Sequence, residues 1–183
     1  MSNEQNASAR TAAATSPLAR AVTEIEQHVT ANGWDQQPRL YALAPTADLV
    51  EREPDLAERL GLTQATAADG SLTPIEQDLP DQPIEDLLPT ITWPDSVDGC
   101  VLAIERIVLP PGAEEHVPDD DTAAIAWAQN HPNRTDVRVV VGVLRDGSRT
   151  CVVRVRGYEQ EDELIHDAEL SAEIGNALAD TFT

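Results

Sequence analysis

Asp136-Val-Arg-Val-Val-Val-Gly-Val-Leu-Arg-Asp-Gly-Ser-Arg-Thr-Cys-Val-Val-Arg-Val-Arg156 is the sequence of a β-hairpin. Two valine-rich runs, Asp136–Leu144 and Ser148–Arg156, flank the triplet Arg145-Asp146-Gly147. A three-residue loop with glycine in its third position fits a type I turn followed by a bulge, because glycine enters the left-handed region freely. Such a loop pairs odd-numbered residues with odd-numbered ones, and therefore places Arg138 directly opposite Arg154.

The hairpin region also carries half of the positive charge of the chain. The segment Arg134–Arg156 has six of the 12 basic residues but only two of the 33 acidic ones, and the chain has no lysine. Side chains alternate between the two faces of a strand, so only Arg138, Arg154 and Arg156 share a face. These three residues are the predicted arginine face of the sheet.

Two interpretations of the arginine face remain open. Planar guanidinium groups pair bidentately with carboxylates, which favours a docking patch for a carboxylate-rich segment of a partner or for another subunit. The alternative is neutralisation within the chain, by Glu105 or by the acidic loops Asp78–Asp86 and Glu114–Asp121.

The segment Gly99–Leu109 is a long strand with apolar residues in both alternating positions. A strand that is apolar on both faces is usually central in its sheet and covered on both sides. Glu105 and Arg106 are the exceptions, one on each face.

The remaining elements are a first helix, two further strands, a two-part helix and two later helices. Ser16-Pro17 begins the first helix and Asn32-Gly33 ends it. The other predicted segments are the strands Arg39–Ala44 and Ser71–Gln77, the helix Ala47–Leu60 interrupted at Pro54, a helix from Asp121 to about Asn130, and a last helix at Asp167–Thr181.

Together these elements predict an α+β fold with a single antiparallel sheet of about five strands, flanked by N- and C-terminal helices that cover a face. Residues 16–183 are expected to form one domain, and residues 1–15 a disordered tail because they are small, polar and without apolar periodicity.

The composition restricts the classes of partner. A net charge of −21 disfavours binding to nucleic acid or to anionic membranes, since both are polyanions. The chain shows no basic-then-apolar leader and no run of 18 apolar residues. Both cysteines, Cys100 and Cys151, lie in apolar runs, as expected of buried reduced thiols. We therefore expect a soluble cytoplasmic protein.

No familiar catalytic pattern is present in the sequence. It lacks the phosphate-binding glycine motifs, the Gly-x-Ser-x-Gly elbow, His-Glu-x-x-His and Cys-x-x-Cys. His116 with Asp119–Asp121 could hold a hard cation, but solvated acids at a helix start are the favoured interpretation. We predict no catalytic residues, no cofactor and no metal site.

Five segments resemble a family of uncharacterised actinobacterial proteins. They are Arg39-Leu-Tyr-Ala-Leu-Ala-Pro-Thr-Ala-Asp-Leu, Leu72-Thr-Pro-Ile-Glu-Gln, Ile91-Thr-Trp-Pro-Asp-Ser-Val-Asp-Gly-Cys, Glu105-Arg-Ile-Val-Leu-Pro-Pro and Val140-Val-Gly-Val-Leu-Arg-Asp-Gly. The resemblance extends from about Ser16 to the C-terminus. It implies a high-GC actinobacterial source, which explains the missing lysine, and it carries no activity or site residues with it.

The order of elements also looks like that of the small acidic chaperones of bacterial secretion systems, which dimerise and hold partner polypeptides. The favoured function is a non-catalytic protein-interaction module, self-associating or binding a carboxylate-rich protein segment. Its tentative binding residues are Arg138, Arg154, Arg156, Glu105 and Arg106. The alternatives are a small enzyme with an unrecognised site near the central strand and the hairpin, and a secretion-chaperone-like protein that holds a partner.

Overall fold

The computed structural model describes residues 16–64, 66–67, 70–158, 164–166 and 171–183. These residues form one antiparallel sheet of six strands in the order β2-β1-β3-β4-β5-β6. The predicted α+β class and single antiparallel sheet are confirmed. The strands are β1 (Arg39–Pro45), β2 (Leu72–Gln77), β3 (Gly99–Val108), β4 (Thr135–Leu144), β5 (Arg149–Val155) and β6 (Ile165–His166).

Six α-helices accompany the sheet within the described residues. They are α1 (Pro17–Ala31), α2 (Thr46–Arg52), α3 (Pro54–Arg59), α4 (Ile84–Leu87), α5 (Asp121–Gln129) and α6 (Ala172–Asp180). Short 3₁₀ turns follow α4 at Leu88–Thr90 and precede α5 at Ala113–His116. No helix in the described part of the chain combines the length and apolarity needed to cross a membrane.

The hairpin β4–β5 has the predicted register. Arg138 pairs with Arg154 and Val141 with Cys151. Gly147 has a φ of 89°, and its amide donates to the carbonyl oxygen of Leu144 at 3.0 Å, which closes the turn. The glycine therefore occupies the left-handed position that the loop length requires.

The strand β3 lies near the middle of the sheet, between β1 and β4, and both of its faces are covered. On one face Val101 and Ala103 pack beneath α1. On the other, Cys100, Leu102 and Ile104 pack in a second cluster with Leu178 of α6. The two-sided apolar pattern arises because each face has its own core.

The first and last helices cover opposite faces of the sheet, not a common one. The side chain of Ser16 caps α1 by accepting from the amide of Ala19 at 3.1 Å. The other helix, α6, begins at Ala172, whereas the sequence predicted Asp167; residues 167–170 lie outside the described residues. The predicted tail, residues 1–15, also lies outside them.

The other elements are close to their predicted positions. The two-part helix Ala47–Leu60 is α2 and α3, which meet at Glu53 before Pro54. The strand β6 was not predicted, because two residues are too short to show an alternating pattern.

Candidate functional site

The arginine face lies beneath α1. Arg138 on β4 is 0% exposed and Arg154 on β5 is 2% exposed, although they occupy directly opposed positions on neighbouring strands. Buried charges require partners, because removing a charge from water is expensive unless it is paired. Both arginines have carboxylate partners from the same chain.

The partner of Arg154 is Glu26 of α1, which is itself completely buried. The guanidinium group binds the carboxylate through two nitrogens, with Nη2 2.8 Å from Oε2 and Nε also donating, to Oε1. Burial alone would raise the pKa of Glu26, but hydrogen bonds from Arg154 and Thr30 and the charges of Arg154 and Arg138 bring it below its ordinary value. Glu26 is therefore an anion that ties α1 to β5.

Arg138 is held by three groups. Its Nη1 donates to Thr30 Oγ1 at 2.8 Å, and its Nη2 donates to Glu105 Oε1 at 2.9 Å and to the carbonyl oxygen of Gly33. Thr30 in turn donates to Glu26 Oε1 at 2.7 Å, so a single hydroxyl links the two ion pairs. Glu105 therefore neutralises Arg138 within the chain, which is one of the two interpretations that the sequence left open.

Arg156 lies at the exposed margin of this network. Its two terminal nitrogens donate to the Asp35 carboxylate at 3.2 and 3.1 Å, and Nη1 is also 3.4 Å from Asp136 Oδ2. The Trp34 ring contacts the guanidinium groups of both Arg138 and Arg156. Their Cζ atoms lie 4.4 Å and 5.5 Å, respectively, from the centroid of the ring. Cation–π contact thus extends the network from the core to the surface.

Arg106 does not belong to this network. It lies on the opposite face of β3, where Nη2 is 3.1 Å from Glu85 Oε1 of α4. Glu105 and Arg106 are one on each face, as predicted, yet together with Arg156 they line a cavity of about 340 Å³ at the end of β3. The buried Arg138 and Arg154 do not line it, so three of the five predicted binding residues come together and two do not. A binding role for them stays a prediction.

Glu26 was missed by sequence reasoning. It follows Val22 by four residues, and residues spaced in this way lie on the same side of a helix. That spacing places Glu26 beside the apolar stripe of Leu18, Val22, Ile25 and Val29. This position on the helix is the sequence signal that could have indicated a buried carboxylate.

The two cysteines of the chain are buried in the core. Burial raises the pKa of the Cys100 thiol to about 12, although hydrogen bonds with Thr181 and Trp93 oppose the shift. Such a thiol does not ionise at neutral pH. Cys151 is buried as well. Within the described residues no group of three or more His, Cys, Asp or Glu side chains could hold a metal ion.

A groove lies on the α6 side of the sheet. It has a volume of about 680 Å³ and lies over β3 between α4 and α6. Apolar side chains and charged ones both line it. The apolar set is Ile84, Leu88, Pro89, Leu102, Ile174 and Ala177; the charged set is Glu85, Arg106, Glu173 and Asp180.

A family comparison classifies the chain. The model of a family described as PPA1309-like protein matches residues 18–183. The chain belongs to this family. The match confirms the predicted membership of an uncharacterised family over most of the chain, whereas the actinobacterial source stays a prediction. Comparisons with curated proteins and with solved structures found no match. Family membership therefore assigns no activity to the arginine network or to the groove.

The helix α5 of this PPA1309-like family member is apolar, yet its apolar residues are at most half-buried by the described chain. Its sequence, Asp-Thr-Ala-Ala-Ile-Ala-Trp-Ala-Gln, has six apolar residues in nine, and the part of the chain that the structure describes buries none of them. Ile125 is 60% exposed. Gln129 of α5 and the exposed Ile107 of β3 line a common cavity, so the helix lies close to the end of that strand. We call Ile125 and Ile107 the α5 surface. Trp127 follows Ile125 by two residues, so it lies on a different side of the helix, where it is half-buried.

Proposed function

We propose that this protein is a non-catalytic interaction module that self-associates through the α5 surface. The observation that carries the proposal is the apolar α5 without a buried residue in the described chain. Helices that are apolar all round are normally covered by protein or lipid. A second copy of the chain is a cover of matching chemistry, since a two-fold contact brings the exposed Ile125 side chains of both copies together.

The burial of the arginine network supports this choice of surface. Arg138 and Arg154 are covered by α1 and paired with Glu105 and Glu26, so a partner could reach them only if α1 moved. Interfaces, in contrast, are depleted in charged residues at their centre. The exposed and uncharged Ile125 meets that description better than the arginine face does.

The cellular setting is part of the same proposal. The lack of lysine among the 12 basic residues supports a high-GC actinobacterial source. The buried thiols of Cys100 and Cys151 support a reducing cytoplasm.

Sedimentation velocity over a wide range of protein concentration tests the proposal. We expect a dimer for the wild-type protein and a monomer for Ile125→Glu, because a central apolar contact residue commonly contributes about 2 kcal/mol, or roughly thirtyfold in Kd. The control is Leu60→Glu, which places the same charge at an apolar side chain that is 43% exposed beyond α3. It should leave the dimer intact.

The salt dependence provides a second readout. Two copies of a chain with a net charge of −21 repel each other, so added salt should strengthen the dimer by screening. A wild-type monomer at every concentration and salt tested would contradict self-association. A dimer that Ile125→Glu leaves unchanged would contradict the α5 surface.

A further inference from the structure

The groove over β3 has the architecture of a binding site for a polypeptide segment. Leu102 and Ile84, both buried, form part of its apolar floor. On its α6 side, Glu173, Ile174, Ala177 and Asp180 all line it, with spacings of one, four and seven residues. These spacings keep the residues on one side of the helix over about 10 Å, since each residue advances the helix by 1.5 Å. The groove therefore follows α6 for about two turns.

The charges around the groove are mostly negative. Three carboxylates, those of Glu85, Glu173 and Asp180, line it together with one guanidinium group, that of Arg106. Arg106 already pairs with Glu85 at 3.1 Å, which offsets its charge. Glu173 and Asp180 are exposed and form no ion pair with any other described residue. An apolar floor with unpaired acids along its α6 margin is complementary to apolar side chains flanked by positive ones.

We propose that this groove binds a basic amphipathic segment of another polypeptide. Apolar side chains of the segment, repeating at helical spacing, lie over Leu102, Ile174 and Ala177, and Lys or Arg side chains lie next to Glu173 and Asp180. A second copy of this chain is a poorer occupant, because its own net charge of −21 opposes the acidic margin. The site is independent of the α5 surface, which is used for self-association.

A randomised peptide library displayed on phage, selected against the full chain, tests the occupant. We expect the selected sequences to combine Leu, Ile or Phe with Lys or Arg at helical spacing. A selection that returns no binder, or binders without an excess of basic residues, would overturn the proposal. The best peptide and its Lys/Arg→Glu counterpart are then synthesised for titration by fluorescence anisotropy.

Matched charge-reversal variants test the position of the site. The groove variant is Glu173→Arg/Asp180→Arg. The control is Glu51→Arg/Glu58→Arg, which changes two exposed acids of α2 and α3 by the same charge. We expect the groove variant to weaken peptide binding at least about tenfold more than the control does. Equal weakening would indicate only the general field of the protein and would overturn the assignment.

Two further measurements distinguish the peptide from other occupants. Peptide binding should weaken with added salt, whereas the proposed dimer should strengthen. The opposite salt dependences distinguish the two, so failure of peptide binding can be told from failure of self-association. If the groove variant abolishes self-association and the control does not, the occupant is a second copy and the proposal is wrong. Ala177→Phe should fill the groove and block the peptide. Thermal unfolding confirms that this variant folds, and the charge-reversal pair remains decisive if it does not.

Discussion

Arg138 and Arg154 lie directly opposite each other on adjacent strands, and both guanidinium groups are buried beneath α1. Opposed like charges destabilise a strand pair unless carboxylates offset them. Here Glu26 from α1 and Glu105 from β3 supply the carboxylates. Thr30 links the two ion pairs, because its hydroxyl accepts from Arg138 and donates to Glu26. The position of α1 on the sheet is therefore specified by ion pairs as well as by apolar packing.

Glu26→Gln should destabilise the fold strongly. The substitution leaves the buried charge of Arg154 without its anion, and breaking a buried pair in this way costs about 3–5 kcal/mol. Urea unfolding followed by circular dichroism measures the change. The control is Asp48→Asn, which removes an exposed partner of Arg52 within α2 and should change the free energy of unfolding by less than about 0.5 kcal/mol. Similar effects of the two variants would show that the Glu26 pair is energetically unimportant.

The same carboxylate predicts a pH dependence. The pKa of Glu26 is lowered in the folded protein, so its contribution to stability is complete above the unfolded-state pKa of about 4.3. That contribution is lost as the pH falls through the folded-state pKa. The difference in unfolding free energy between the wild type and Glu26→Gln should therefore shrink as the pH is lowered below about 4. A difference that stays constant into strong acid would contradict the lowered pKa.

The hairpin could be predicted from the sequence because its determinants are local. The length of the loop and Gly147 fix the register, and the register fixes which arginines share a face. The faces of Glu105 and Arg106 follow from alternation for the same reason. These features need no knowledge of what packs on the sheet.

Local sequence patterns could not predict which helix packs on each face of the sheet. An apolar stripe shows that a helix is buried, but β3 offers two apolar faces, and the stripe does not choose between them. The pairing of Glu26 with Arg154 joins residues far apart in the chain and depends on that choice. The helix α5 was predicted from its capping residue, yet nothing local indicates that the described chain fully buries none of its residues.

Gly142→Ala should destabilise the contact between α1 and the sheet. A Cβ atom at this position would lie 2.6 Å from Val22 Cγ2 and 3.0 Å from Leu18 Cδ1, both on α1. Overpacking of this kind costs about 1–3 kcal/mol. Gly175→Ala in α6 is the matched control, since its Cβ atom would meet nothing closer than 3.5 Å. There alanine should stabilise the helix by about 0.5–1 kcal/mol. Thermal melts of the two variants should therefore shift in opposite directions.

Cys100 should react with thiol reagents only when the protein opens. Its side chain is 0% exposed, and a pKa of about 12 leaves almost no thiolate at neutral pH. Cys151 is 2% exposed on the same face of the sheet, so both thiols should react slowly with a disulfide reagent in buffer and rapidly in denaturant. Gly142→Ala should accelerate the reaction, because a less stable fold opens more often. Rapid labelling of the native wild-type protein would show that the α6 face opens more readily than its packing implies.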